Sequence, residues 1–190
     1  MSNILFKSMY LSVLTLFCLC LSAPLMAQEV DKGKIPEDQL AKSYKKLACG
    51  ANIWDVDEAV TKLQEGENIL WVDTRPESFF KKGTVQDAVL LIYNKKGMPE
   101  NTLTQESLDK ALADKGIAKD KATIAFFCQG PKCHRSYNAS FAAVTDWGYA
   151  PEQIVWFREG YPFLFKKIQS DAKLKRKAKR YISEDGVKQL

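Results

Sequence analysis

Cys128 closes an apolar run, Ala122-Thr-Ile-Ala-Phe-Phe127, and is followed by Gln129-Gly130-Pro131-Lys132-Cys133-His134-Arg135-Ser136 before the helix-like stretch Tyr137–Val144. A thiol at that junction of strand and loop faces a cradle of backbone N–H groups. Lys132, His134 and Arg135 add positive charge, and Ser136 is placed to cap the helix behind the loop. Local charge and helix dipole therefore both favour thiolate over thiol. A cysteine at a strand end is often only a small buried hydrophobe, but the glycine, proline and cations around this one point to a nucleophile. Cys133 is a second thiol in the same loop, able to attack a modified Cys128 or simply to line the cradle. His134 is the single histidine of the chain, and at a helix start an exposed, non-catalytic role is expected for it. With no second histidine or acidic cluster, neither a zinc site on Cys128 and Cys133 nor any cofactor is expected.

The compartment bears on those thiols. Lys7, the apolar run Met9–Leu21 and the small-residue end Ser22-Ala-Pro-Leu-Met-Ala27 have the layout of a secretory signal cleaved after Ala27. The rival is an uncleaved anchor, which Pro24 and the small residues disfavour. A periplasmic or secreted location is expected, and Cys18 and Cys20 leave with the signal. Cys49, Cys128 and Cys133 remain, an odd number in a place where thiols pair. A Cys128–Cys133 bond would close a very short loop and restrain little chain entropy, so chemistry explains that pair better than stability does. Cys49 reads as an incidental or partner-linked thiol.

The formal charge of +5 is unevenly spread. Lys166–Arg180 holds eight basic residues against Asp171 alone, and with Lys7 set aside the rest of the chain is mildly acidic. The basic stretch reads as a terminal helix that is solvated or touches an acidic protein or a membrane surface. No aromatic-basic pattern suggests nucleic acid.

The elements that must position the cysteine follow from periodicity. Asp55 precedes Val56–Leu63, apolar at 56, 59, 60 and 63, a helix that ends at Gly66. Asn68–Asp73 and Ala88–Ile92 are continuous apolar runs of the kind buried on both faces of a parallel sheet, with a short helix between them. Thr104–Ala113 begins with capping chemistry and ends at Gly116, before the strand Ala122–Phe127. A helix from Ser136 stops near Gly148, and Gln153–Phe157 is a further strand before a Glu159-Gly160-Tyr161-Pro162 turn. This alternation predicts an α/β sandwich on a mainly parallel central sheet, with ligands beyond the carboxyl ends of the strands, where Cys128 falls. Residues 28–53 lack a sustained pattern and read as a loosely packed extension. The expected division is signal 1–27, extension 28–53, domain 54–165 and basic extension 166–190.

Four features occur in a familiar order. Val72-Asp73-Thr74-Arg75 leads into Pro76-Glu77 and Phe79-Phe80, followed by Lys82-Gly83-Thr84-Val85-Gln86-Asp87-Ala88-Val89. After these come the cysteine loop, then Gly148-Tyr149 with Val155-Trp156-Phe157-Arg158-Glu159-Gly160. Over residues 54–165 the chain resembles the single-domain rhodaneses, sulfurtransferases that carry sulfur as a cysteine persulfide, and in particular an exported branch with a second loop cysteine. The resemblance implies a rhodanese-like three-layer sandwich. It also implies a buried Asp73–Arg75 pair holding the sheet end. The family often has His at Thr84, Gly at Asp87 and a second closing Gly at Glu159. Its common form puts five residues between the cysteine and the serine that opens the helix, whereas seven separate Cys128 from Ser136, implying a larger or Pro131-kinked cradle.

In the implied reaction Cys128 takes sulfane sulfur from a small anionic donor of the thiosulfate or polysulfide type and passes it to a thiol or cyanide-type acceptor. Gln129, Gly130, Lys132, His134, Arg135 and Ser136 form the substrate cradle, with Lys132 and Arg135 the foremost anion binders. Alternatives are a thiol–disulfide redox protein using Cys128 and Cys133 and a non-catalytic binding module. A cysteine phosphatase is a minor reading, because Arg135 falls one residue beyond the spacing that would grip phosphate.

Overall fold

The computed structural model describes residues 35–190. The expected signal segment, with Cys18 and Cys20, lies outside them. Five strands form one sheet: β1 (Asn52–Trp54), β2 (Ile69–Asp73), β3 (Val89–Leu90), β4 (Thr123–Phe127) and β5 (Ile154–Phe157). Their order is β1-β5-β4-β2-β3, and every pairing is parallel. The principal helices are α1 (Val56–Glu65), α2 (Glu77–Phe80), α3 (Gln105–Asp114), α4 (His134–Thr145), α5 (Gly160–Ser170), α6 (Ala172–Arg176) and α7 (Glu184–Val187).

Side-chain alternation along the strands makes the sandwich. Ile53, Leu70, Val72, Ile124, Phe126, Ile154 and Trp156 enter one core, closed by α3, α4 and Tyr149. Trp71, Ala125, Phe127, Val155 and Phe157 enter the other, closed by α1, α5 and the segment from Leu174 to Ile182. Period-2 alternation thus sorts an all-apolar strand between two opposite layers. Because the sheet is parallel, Asp73, Phe127 and Phe157 stand in register along one edge of it. The loops that leave these three strands therefore meet at one end.

Helix boundaries follow local chemistry. Asp55 and Glu58 form a reciprocal capping box on α1, and Gly66 ends it. Thr104 caps α3, its side chain accepting from the Ser107 amide. Four expectations are corrected. Ala88–Ile92 is ladder-paired only at Val89–Leu90, and these are half-buried, because β3 is an edge strand with β2 as its one neighbour. The segment before residue 54 is not loose: Leu47 and Ala51 are core residues and Asn52–Trp54 is a strand. Its anchor is Arg158, buried at 1% exposure, which donates to both Asp55 carboxylate oxygens (2.9 and 2.7 Å) and to the carbonyls of Gln39 and Ala41.

The basic stretch is likewise not one helix. Asp171 ends α5 and caps α6, accepting from the Lys173 and Leu174 amides. Leu174 and Ala178 are buried while the lysines and arginines between them face solvent. The chain then returns to the body, where Ile182 bridges Val85 antiparallel and Ser183 exchanges hydrogen bonds with Thr84. Where a turn is expected at Glu159–Pro162, α5 begins directly at Gly160.

Arg158→Ala leaves the Asp55 carboxylate with only the exposed Lys45 as a partner and releases the 39–41 segment. The expected loss is about 3 kcal/mol of unfolding free energy, read from the urea midpoint at constant slope; a change below about 0.5 kcal/mol would mean the pair is not the anchor.

Candidate active site at the cysteine loop

Cys128 follows β4 directly and is 1% exposed. Its carbonyl accepts from the Tyr161 amide at 3.1 Å, and the preceding Phe127 carbonyl accepts from the amide and hydroxyl of Thr74 at 3.1 and 2.9 Å. The nucleophile candidate is thus pinned to the loops of two neighbouring strands. Gly160, with φ +65°, makes the close approach possible: a Cβ there would run into the Cys128 carbonyl.

The loop is five residues, Gln129–Cys133, because α4 begins at His134. The helix starts two residues before Ser136, so the seven residues between Cys128 and Ser136 include the first two of the helix and do not by themselves lengthen the loop. Cys133 takes the cap position, and its amide donates to the Gly130 carbonyl at 2.9 Å. Cys128 and Cys133 are joined by a disulfide, with Cα atoms 6.2 Å apart. Cys49 is free and half-buried, its thiol pKa pushed up by burial. Among the described residues the amides of Gln129, Gly130 and Lys132 donate to no acceptor. Three unpartnered N–H groups in one short turn suit an anion. No group of three or more His, Cys, Asp or Glu side chains is placed to hold a metal among the described residues.

The expected cradle residues separate into two sets. Gln129 lines a cleft of about 210 Å³, Gly130 takes φ +141°, and Lys132 is exposed with no ion pair among the described residues. The others are engaged elsewhere. Ser136 is not a cap but a buried helical residue whose hydroxyl accepts from Trp156 Nε1 at 3.2 Å. Arg135 turns away to donate to the Tyr93 carbonyl at 3.0 Å. His134 is half-buried rather than exposed, its Nε2 2.6 Å from Asn94 Oδ1. Asn94 Nδ2 donates to Glu100 at 2.7 Å. That bond fixes the amide with its oxygen toward the ring, so the network assigns the proton to Nε2.

Behind the loop, the Asp73 carboxylate is wholly buried. It accepts from the Arg75 amide, from Arg75 Nε and Nη2, and from the Thr84 hydroxyl at 2.7 Å. Arg75 also donates to the Gly83 carbonyl at 2.7 Å and stacks over the Tyr161 ring at 4.7 Å. Burial pushes the Tyr161 hydroxyl up to about 12. Three departures from the family pattern acquire reasons here. Thr84 completes the Asp73 shell. Asp87 adopts φ +59°, the left-handed region in which glycine is at ease and aspartate is tolerated. Glu159 accepts from the Val56 amide at 2.8 Å and pairs with Lys42, so it holds the start of α1.

Sequence reasoning missed Tyr161, Phe79, Lys82, Phe165 and Gln189, which line the cleft beside Gln129 and Arg75. Phe79 and Lys82 lie within the matched motifs and Tyr161 directly follows the last of them; Gln189 is brought there by the terminal return of the chain and had no local signal.

A parallel α/β sandwich carrying a cysteine loop between its central strand and the following helix is a rhodanese-like architecture. Residues 55–162, more than half of the chain, match the rhodanese-like domain model, and the chain belongs to that family. A comparison with curated proteins gave no match. Among solved structures, Saccharomyces cerevisiae Ygr203w, described as a homolog of single-domain rhodanese and Cdc25 phosphatase catalytic domain, is 16% identical. The alignment covers 74% of this chain and 92% of that one, at a TM-score of 0.52. The As-Sb reductase of Leishmania major is 15% identical, covering 63% and 80% at 0.46. The BH2092 protein of Bacillus halodurans is 18% identical, covering 60% and 71% at 0.45. The yeast likeness shows the shared fold.

Gly160→Ala forces a side chain against the Cys128 carbonyl at a left-handed position. A loss of about 2 kcal/mol or more is expected, together with a shifted Cys133 amide resonance; an unchanged stability would show that the approach is slack.

Partial burial, then the charges of Arg135 and Lys95, hold His134 below its ordinary pKa. The folded state then binds fewer protons than the unfolded one, so the group stabilises at pH above the unfolded pKa and that contribution is lost as pH falls below it. His134→Gln is expected to flatten the fall in stability between neutral and mildly acidic pH. Equal slopes in the two proteins would remove His134 as the cause.

Proposed function

We propose that the protein is an exported sulfurtransferase whose Cys128, once reduced, carries sulfane sulfur as a persulfide. The observation that carries this is the placement of Cys128 at the end of β4 in a turn with three unpartnered amides, a setting that stabilises negative charge on and around sulfur. The Cys128 thiolate attacks the outer sulfur of thiosulfate or a polysulfide, the donor S–S bond breaks, and sulfite or the shortened polysulfide leaves with the electron pair. An acceptor thiolate or cyanide then attacks that outer sulfur, and the Cys128–sulfur bond breaks to return the thiolate. Lys132 and the Gln129, Gly130 and Lys132 amides bind the anionic donor. Arg135 is committed to the Tyr93 carbonyl, which gives it a positioning role at the helix start.

Cys133 supplies the return path. Its thiolate attacks Cys128 Sγ, hydrosulfide leaves, and the disulfide forms; a dithiol reductant then restores both thiols. The closed Cys128–Cys133 bond is also what favours the second reading, a thiol–disulfide redox protein. The phosphatase reading, which the description of the yeast neighbour raises, is disfavoured by the engaged Arg135. Export after cleavage near Ala27 accords with a two-cysteine loop that cycles through a disulfide.

Reduced mature protein, freed of reductant and incubated with thiosulfate or polysulfide, is expected to gain the mass of sulfur on Cys128 by intact-mass measurement and peptide mapping. Cys128→Ser gains none. Cys133→Ser keeps the adduct longer than the wild type, because hydrosulfide release is blocked. A protein that returns only the Cys128–Cys133 disulfide with either donor is a redox protein instead.

A further inference from the structure

We propose that the face around the cysteine loop docks an acidic, apolar segment of a partner protein, and that this segment carries the thiol that accepts sulfur from Cys128. The docking half stands on the surface alone; the thiol half rests on the sulfur-carrier reading. In the transfer, the partner thiolate attacks the outer sulfur of the Cys128 persulfide, a new S–S bond forms on the partner, and the electron pair of the broken bond returns to Cys128.

Three large hydrophobic side chains are exposed among the described residues, Tyr44, Phe79 and Phe163, and two of them lie at this face. Phe79, 41% exposed, shares the cleft with Gln129 of the loop. Phe163, 42% exposed, lies over Gly130 of the same loop, its ring edge 3.6 Å from the position of a Cβ there. Exposed aromatics on a rigid frame beside a reactive group are the usual anchors of an interface. Neither ring is needed to hold a small anion.

The charge around them has one sign. Lys82 lines the cleft, Lys132 sits in the loop and Lys166 lies one helical turn beyond Phe163; all three are exposed and none has an ion-pair partner among the described residues. Among the described residues no carboxylate lines the cleft. The neighbouring acids are already committed, Asp73 to Arg75, Glu77 to Lys81 and Glu159 to Lys42. An occupant must therefore bring its own negative charge. It must also be macromolecular: two rings on separate helices and three lysines on separate segments extend beyond a cleft of about 210 Å³, which a donor of thiosulfate size leaves largely uncovered.

The test uses the full mature chain as Cys128→Ser, so that binding is read without turnover. The probes are a fluorescent peptide alternating Glu with Leu around one Cys, and its counterpart with Lys for Glu. At low salt the acidic peptide is expected to bind about tenfold tighter or more, with the gap closing as ionic strength rises. Phe163→Ala should weaken it about fivefold, and Lys166→Glu should narrow the preference, both with unchanged thermal midpoints. Equal binding of the two peptides, or indifference to both substitutions, overturns the proposal. So does binding to phosphatidylserine vesicles that these substitutions abolish while neither peptide binds. If the acidic peptide binds with these sensitivities but wild-type Cys128 never acquires sulfur, the docking surface stands and the sulfur-carrier reading falls, taking the thiol half with it.

Discussion

A carboxylate removed from water at the end of a strand has to be met by donors, and the way Asp73 is met sets the shape of the active end. Its two oxygens take the Arg75 amide, the Arg75 guanidinium and the Thr84 hydroxyl. Arg75 in turn fixes the Gly83 carbonyl and lies over Tyr161. One buried ion pair therefore joins the loop after β2, the segment before β3 and the first turn of α5. Tyr161 then holds the Cys128 carbonyl through its amide. A pair of this kind adds little net stability beyond what apolar residues would give, but losing one partner strands a buried charge. Its worth here is geometric: it places the floor on which the cysteine loop rests.

The length of that loop is governed by where the helix can start. Helical residues run from His134, so Cys133 becomes the cap and Ser136 falls a turn inside, where Trp156 uses its hydroxyl. Moving the start toward the strand brings the second thiol within bonding reach of the first, with Cα atoms 6.2 Å apart. His134 and Arg135, in the first turn, are consequently aimed at the Tyr93–Asn94 backbone and side chain. They lock α4 to the loop after β3.

The sheet was largely legible because continuous apolar runs and helical spacing are physical requirements of burial between two layers. The helices Val56–Glu65 and Gln105–Asp114 announced themselves through Asp55, Gly66 and Thr104. Asn52–Trp54 did not, since three residues carry too little periodicity to mark a strand; its place is fixed by Arg158, more than a hundred residues later. The terminal stretch misled for a related reason. Its many lysines hide Leu174, Ala178 and Ile182, spaced four apart, which bury one face while the charges stay in water. At the site, residue type picked out Cys128 as the candidate nucleophile, but the partners of Arg135 and Ser136 depend on tertiary neighbours that local spacing does not encode.

Reduction of the disulfide acts on two cysteines that are held very differently. Cys128 is bound through its carbonyl to α5 and continues a strand paired on both sides, so its sulfur stays where the sheet puts it. Cys133 is held by one turn hydrogen bond to Gly130 and by the start of a helix, where side-chain capping is absent. With the bond open, the Gly130–Cys133 turn has fewer restraints than Cys128. That turn carries the unpartnered amides and Lys132, so on the proposed reading the groups offered to an anionic donor become adjustable when Cys128 is released. A fixed thiolate with a compliant cradle can accept donors and acceptors of different size at one sulfur, which a loop clamped at both ends could not.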